Sequence, residues 1–180
     1  MIKRVLLSFQ LFATCIFTYS QHLTFKGINI NKDITTFIQE LENKGFKESK
    51  WGSIIPPKPG ESDILYGVLY DSEVSLQVNF DTINNVVTEI DVSASFDSER
   101  ETYKYIYKIS TDIEKSYSEI YTESGENTNG VEYKKIGCFN NLNGKNRWCG
   151  DIYIFFEFYD SRYRVHIRFV DINAYKDILT

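Results

Sequence analysis

Apolar and polar residues alternate in the middle of the chain, and this pattern constrains the fold more than any other feature. Side chains of a β-strand point to opposite faces with a period of two, so a half-buried strand alternates in this way. The apolar positions are Val74, Leu76, Val78 and Phe80, followed by Val86, Ile90, Val92, Ala94 and Phe96. Together with a strand at 64–70 and turn-forming residues between the segments, they predict an antiparallel meander at 64–70, 73–80 and 86–96.

Two other segments carry the periodicity of amphipathic helices. The first is predicted to start at an N-cap, Asp33, and to stop at Gly45, and its apolar face consists of Ile34, Phe37, Ile38 and Leu41. The second starts with a capping box formed by Ser98 and Glu101 and is predicted to run to about Tyr121. Its predicted core stripe is Tyr103, Ile106, Ser110, Ile113, Tyr117 and Ile120. Tyr105 lies off this stripe and is a candidate platform for a sugar or a protein, although the aromatic-rich composition favours packing as the alternative.

The sequence after the second predicted helix indicates a second group of strands. Residues 122–130 are polar and predict a loop, after which strands are expected at 133–139, 151–159 and 163–170, with a short terminal helix at 173–179. The resulting order is α-β-β-β-α-β-β(-β)-α. It predicts the α+β class, with one long and one or two short helices on one face of an antiparallel sheet. The chain shows no internal sequence repeat, and residues 21–180 are expected to form a single domain.

The first twenty residues are organised like a secretory signal peptide. Two basic residues precede an uncharged apolar run ending at Tyr19, and its roughly 15 residues fall short of the roughly 20 that span a bilayer. Thr18 and Ser20 occupy the −3 and −1 positions of a small-x-small cleavage site. Residues 1–20 are therefore predicted to be removed. A lipoprotein signal with Cys15 as the acylated residue is the alternative, although the residues before Cys15 do not fit a lipid-attachment site.

Charge and motif content limit the classes of function. Cleavage would remove two basic residues and change the formal charge from −5 to −7, which disfavours nucleic acid as a partner. No second apolar segment follows, so no membrane span is expected after cleavage. The chain contains no nucleophile elbow, metalloprotease helix, phosphate-binding loop or dinucleotide fingerprint. We therefore expect no cofactor and no bound metal.

The predicted mature chain begins with a Leu-x-Phe-x-Gly-Ile-Asn-Ile segment, formed by Leu23, Phe25, Gly27, Ile28, Asn29 and Ile30. This segment resembles the start of a group of uncharacterised exported proteins of gut Bacteroidetes, in which proline replaces the asparagine. Similarity extends to Trp148, the Gly150-x-Ile152 segment and the Asp171-x-Asn173 ending. The resemblance implies export, to the periplasm or the extracellular surface, and a shared fold, but no activity.

These observations favour a non-enzymatic binding or interaction module of the bacterial cell envelope, with an unknown protein or glycan as its partner. The alternative is a hydrolase acting on envelope or dietary glycan or peptide. Glu89 and Asp91 would then be a candidate carboxylate pair, with Glu157 and His166 as further candidates. For each of these residues the simpler interpretation is an outward-facing position on a strand.

The last two predicted strands form a hairpin whose outward face is the candidate binding surface. With 160–163 as the connection, an even-numbered loop pairs Tyr159 with Arg164, Glu157 with His166 and Phe155 with Arg168, and it leaves the opposite face apolar. The outward set, a mixture enriched at recognition sites, is Tyr153, Phe155, Tyr159, Arg164 and Arg168. In the alternative interpretation the arginines stack on these rings and Glu157 neutralises His166, so that the face satisfies its own contacts.

Cys138 and Cys149 are the cysteines that remain after cleavage, and the Asn143-Gly144 pair between them is a hairpin turn signal. In a hairpin centred on this turn, the two cysteines face one another. Because exported proteins meet an oxidising compartment, we predict a disulfide between them. Two buried thiols are the alternative.

Overall fold

The structure is a computed structural model, and it describes residues 22–48, 56–126 and 131–174. Its elements are β1 (Thr24–Phe25), β2 (Ile28–Asn29), α1 (Ile34–Asn43), β3 (Lys47–Glu48), β4 (Leu65–Leu69), β5 (Ser72–Phe80), β6 (Val87–Phe96), α2 (Glu99–Ser116), β7 (Glu119–Glu126), β8 (Glu132–Leu142), β9 (Lys145–Tyr159) and β10 (Arg162–Asp171). The predicted signal peptide and most of the predicted terminal helix lie outside the described residues. In the described part, no helix is long and apolar enough to cross a membrane.

Strands β3 to β10 form one antiparallel sheet in the order β3-β4-β5-β6-β10-β9-β8-β7, and β1 and β2 form a separate hairpin. The strand order contains a repeat of topology, although the sequence contains no internal repeat. Each half of the chain is a helix followed by a four-stranded meander, and the two meanders join through their last strands. This central pairing of β6 with β10 runs from Phe96 opposite Tyr163 to Glu89 opposite Val170.

The predicted α+β class is wrong, because strands make up more than half of the described residues and the fold is β-rich. The largest difference from the prediction concerns β7, whose residues the sequence predicts to be the end of a helix and a loop. Strand β7 is the last strand of the sheet, β8 is its one pairing partner among the described residues, and most of its side chains are exposed. A strand that is exposed on both faces has no apolar alternation, so its sequence looks like a polar loop. The turn at Asn143-Gly144 then lets β8 and β9 extend well beyond their predicted bounds.

Both helix starts are confirmed, whereas the end of the second helix is wrong. Its core stripe is confirmed at Ser110, Ile113 and Tyr117 and wrong at Tyr103. Asp33 accepts hydrogen bonds from the backbone N–H groups of Thr35 and Thr36, and Ser98 accepts one from that of Glu101. Helix α2 ends at Ser116, because Tyr117 has extended backbone angles. Tyr105, which we had placed outside the core, is 2% exposed, whereas Tyr103 is 50% exposed. The buried stripe of α2 consists of Thr102, Tyr105, Ile109, Ser110 and Ile113.

A single apolar core contains the apolar faces of both meanders, together with side chains from α1, α2 and the β1–β2 hairpin. The buried carboxylate of Asp171 anchors the N-terminal segment to the end of β10. It accepts hydrogen bonds from the backbone N–H groups of Leu23 and Ala174, both at 2.8 Å, and lies 3.2 Å from His22 Nδ1. His22 is therefore part of this anchor.

Candidate binding site on the open face of the sheet

The face of the sheet that points away from the core is called the open face here. It carries the alternate residues of each strand, and a row across its middle consists of Tyr66, Ser75, Ser93, His166, Phe155, Tyr133 and Gly125. All four candidate hydrolase residues and all five candidate binding residues lie on this face. The sequence had placed them there by alternation alone.

The register predicted for the β9–β10 hairpin is wrong by two residues. Asp160 and Ser161 both have positive φ and form a two-residue turn, so that Tyr159 pairs with Arg162 rather than with Arg164. Phe155 pairs with His166 in consequence. Because the shift is an even number, every side chain keeps its predicted face. On the predicted apolar face, Ile154, Val165, Ile167 and Phe169 are buried and Phe156 is partly buried, whereas Phe158 is 64% exposed.

Two aromatic residues of β9 form a cluster with Tyr133, which is not among the five predicted binding residues. Tyr153 and Phe155 lie with their ring planes 13° apart and their centroids 6.2 Å apart. Tyr133 of β8 approaches both rings, at 6.0 Å and 5.8 Å. Lys135 Nζ lies 5.8 Å from the centroid of Tyr153. Tyr133 is the first residue of the predicted strand 133–139, so its position, but not its neighbours, was available from the sequence.

The two arginines are held by contacts within the open face. The guanidinium group of Arg164 lies over the ring of Tyr159, 4.6 Å from its centroid. Arg168 Nε donates to Asp91 Oδ1 at 2.8 Å and lies 3.4 Å from Glu89 Oε1. Arg164 therefore stacks on a ring, as the alternative interpretation has it, whereas Arg168 contacts carboxylates of the same face. The two arginines are thereby oriented rather than free to move.

Glu89 and Asp91 are brought together as a carboxylate pair by Asn79 and Arg168. The side-chain amide of Asn79 donates to Glu89 Oε1 and to Asp91 Oδ2, both at 3.0 Å. Burial raises the pKa of Glu89, and the nearby Asp91 charge also raises it, whereas Arg168 and Asn79 lower it. In the sequence, Asn79 is one of the polar residues that alternate with apolar residues along β5. Nothing in that pattern predicts that its side chain bridges the two carboxylates.

His166 connects two other residues of this face. Its Nδ1 lies 2.8 Å from Ser93 Oγ, and its Nε2 lies 3.6 Å from Glu157 Oε1. A hydrolytic serine also needs donors for the oxyanion that forms during acyl transfer. Ser93 lies in the interior of β6, paired on one side with Ser75 and on the other with His166, so the neighbouring backbone groups take part in the strand ladders. The contacts therefore describe a structural hydrogen-bond chain better than a catalytic one.

The carboxylate pair and His166 line two adjoining depressions of about 770 Å³ and about 470 Å³. Gln77, Asp91 and Arg168 belong to both depressions, which therefore form one groove across the sheet. The groove is lined mainly by carboxylate, amide and hydroxyl groups at one end and by Phe155, Glu157 and His166 at the other. Within the described ranges, no group of three or more His, Cys, Asp or Glu residues could hold a metal ion.

The two cysteines lie on the core side of the sheet, away from the groove. The predicted register holds from the turn to Phe139 opposite Trp148, and a bulge at Cys149 then places Gly150 opposite Cys138. Both side chains are buried, and no disulfide joins them in the structure. Burial raises the pKa of both thiols, that of Cys149 to about 11.

No family model, no curated protein and no solved structure matches this chain.

Proposed function

We propose that this protein is an exported binding module that recognises a basic segment of a cell-envelope protein through the groove on the open face. The observation that carries the proposal is the charge of the groove. Its lining includes the carboxylates Glu61, Asp81, Glu89, Asp91 and Glu157, whereas its basic side chains are Arg168 and His166.

Phe155, the member of the aromatic cluster that lines the groove, favours a cationic partner for a second reason. Lysine and arginine side chains are attracted to aromatic faces as well as to carboxylates. The protein already makes such contacts, since Arg164 lies over Tyr159 and Lys135 approaches Tyr153. Complementary charge would increase the rate of association and select against acidic partners. A basic segment could therefore place cations against both Phe155 and Glu157.

The test is a titration with two disordered peptides, one rich in lysine and arginine and the other with glutamate in place of each basic residue. We expect saturable binding of the basic peptide only. Phe155→Ala should weaken it by at least about fivefold, because aromatic anchors carry much of the energy of a recognition surface. The matched control is Phe158→Ala, the same change on the same strand but on the other face. Glu157→Gln should also weaken binding, whereas Glu114→Gln, at an exposed position of α2, should not.

Three results would contradict the proposal. Equal binding of the two peptides, an equal effect of Phe155→Ala and Phe158→Ala, or binding of an envelope oligosaccharide in preference to the basic peptide would each do so. Export is tested separately. The intact mass of the protein from the cell envelope should correspond to a chain that starts at Gln21, and a chain starting at Met1 or acylated at Cys15 would exclude the proposed cleavage.

Glycoside hydrolysis is the second candidate function, and the proximity of Glu89 to Asp91 is the observation that favours it. Two carboxyl groups with different environments are the usual requirement of this reaction, one acting as acid and the other remaining ionised. However, Asn79 and Arg168 already occupy oxygen atoms of both carboxylates. Turnover of an envelope or mucin glycan that is abolished by Glu89→Gln would favour this function over binding.

A further inference from the structure

The outer edge of β7 carries backbone groups that have no strand partner. Strand β7 pairs with β8 without a bulge, from Glu119 opposite Phe139 to Glu126 opposite Glu132. In an antiparallel pair, every second residue directs its N–H and C=O groups away from the neighbouring strand. Among the described residues, no strand pairs with these outward groups of β7. The edge is separate from the groove on the open face, since no residue of β7 lines the groove.

The two edges of the sheet differ in how well they are protected against the addition of another strand. Proteins commonly protect an edge by shortening it, by bending it with a bulge or by placing lysine or proline on it. The edge strand β3 is protected by its length, because it has two residues. Strand β7 has eight residues and contains neither lysine nor proline. Its edge therefore remains open to a strand that its side chains do not repel.

The edge is also held in an extended conformation by its neighbour. A glycine within a strand weakens it, because it has no side chain to pack against other residues. A Cβ atom at Gly125 would lie 2.8 Å from the hydroxyl oxygen of Tyr133, so this tyrosine of β8 covers the glycine. An aromatic ring that covers an edge glycine in this way stabilises the strand. The edge is therefore preorganised, which lowers the cost of binding.

The charge of β7 selects the chemistry of a partner strand. The strand contains Glu119, Glu123 and Glu126 and no basic residue, and all three glutamates are exposed. Lys135, which lies opposite Glu123 on β8, forms its ion pair with Asp151 instead. Within the described ranges, no basic side chain forms an ion pair with any of the three glutamates. The edge is therefore acidic from its first residue to its last.

We propose that β7 binds an extended, basic segment of a partner protein, which adds to the sheet as a further strand. Glu119 and Glu123 point to the open face, whereas Thr122 points to the core side. Opposite charges and paired threonines stabilise two strands when they lie directly opposite each other. The segment therefore alternates lysine or arginine with threonine. A second copy of β7 fits poorly, because it would bring three more glutamates to the edge.

The experiment titrates the purified protein with two peptides of the same length and composition. One alternates lysine with threonine, and the other has all its lysines before its threonines. We expect the alternating peptide to bind more tightly, because its lysines share one face of a strand. Glu123→Gln should weaken its binding by about threefold, the effect of one cross-strand ion pair. The matched controls are Glu157→Gln, which changes the groove, and Glu114→Gln on α2, and both should leave this binding unchanged.

N-methylation of the alternating peptide tests whether it binds as a strand. One form is methylated on the backbone nitrogens of its lysines and the other on those of its threonines. Because the N–H groups of alternate residues point to opposite edges of a strand, one form should bind and the other should not. Amide hydrogen exchange supplies the location. The outward N–H groups of β7 should exchange fast in the free protein and become protected when the unmethylated peptide binds.

Four results would overturn the proposal. The first is equal binding of the alternating and the block peptide, and the second is equal binding of the two N-methylated forms. The third is protection of the outward N–H groups of β7 in the free protein, whether by another segment of the chain or by a second copy. The fourth is a loss of binding in Glu157→Gln but not in Glu123→Gln, which would place the peptide in the groove.

Discussion

The hydroxyl group of Tyr105 is a buried polar group whose hydrogen-bonding capacity the surrounding core does not satisfy. The side chain packs between Tyr70 and Phe96, and its hydroxyl oxygen is buried with no hydrogen-bond partner among the described residues. Burial raises the pKa of this phenol, so it stays protonated. A buried polar group that makes no hydrogen bond loses its interactions with water without replacement.

Tyr105→Phe is therefore expected to raise the free energy of unfolding by about 1 kcal/mol, because the unsatisfied hydroxyl is removed while the ring is retained. Urea denaturation followed by fluorescence measures this change. Tyr107→Phe, on the same helix but 73% exposed, serves as the control and should have little effect. A clear loss of stability in Tyr105→Phe would mean that the hydroxyl group makes a hydrogen bond in solution.

At the scale of the secondary-structure elements, the predicted turn of the β8–β9 hairpin is confirmed, and the disulfide across this hairpin stays a prediction. Asn143 and Gly144 both have positive φ, as the turn signal predicts. The bulge between Phe139 and Cys138 is a feature that alternation does not encode, because it adds one residue to a single strand. It changes the partner of Cys138 from Cys149 to Gly150, while both thiols stay buried.

The disulfide between Cys138 and Cys149 stays a prediction. Unfolded and unreduced protein from the envelope should contain no titratable thiol, and two thiols would exclude the bond. In reduced, folded protein both thiols should react with a thiol reagent much more slowly at pH 8 than after unfolding, because burial raises both pKa values and keeps the reactive thiolate rare. Fast reaction of the folded protein would show that the hairpin opens.

At the scale of the whole molecule, the two meanders meet at β6 and β10, and the open-face cluster is built across that junction. Glu89 and Asp91 come from β6, Arg168 from β10 and Asn79 from β5. The stability of the molecule should therefore respond to the charge of Glu89. Its pKa in the folded protein is raised above the usual 4.5, mainly by burial. Protonation is thus tighter in the folded state than in the unfolded chain.

This linkage predicts a pH dependence with a definite sign. The stabilising contribution is fully present below about pH 4.5 and is lost as the pH rises through the raised pKa of Glu89. Glu89→Gln should remove this decline, as measured by urea midpoints across that pH range. Glu114→Gln, an exposed position of α2, should leave the decline unchanged. If Glu89→Gln and Glu114→Gln follow the same pH profile, the decline belongs to other groups.

The sequence by itself determined the starts of both helices, the Asn143-Gly144 turn and the face on which the candidate residues of β6, β9 and β10 lie. Period-two alternation placed Asp91, Phe155 and Arg168 on the open face, and this survives a register shift of two because the shift is even. Capping residues marked both helix starts, since these hydrogen bonds are made within a few residues. These features depend on neighbours along the chain, which the sequence contains directly.

Only the tertiary structure decided the edge strand, the register, the bulge and the clusters. Strand β7 is extended because β8 pairs with it, and Tyr105 is buried because α2 rotates its contact face towards β6 and β10. Asn79 meets Glu89 and Asp91 only once β5 and β6 pair, and Arg168 joins them only when the second meander docks against the first. Asn79 and Glu89 are 10 residues apart in sequence, and Asp91 and Arg168 are 77 apart. These contacts form only when separate strands pair, so no pattern within one strand encodes them.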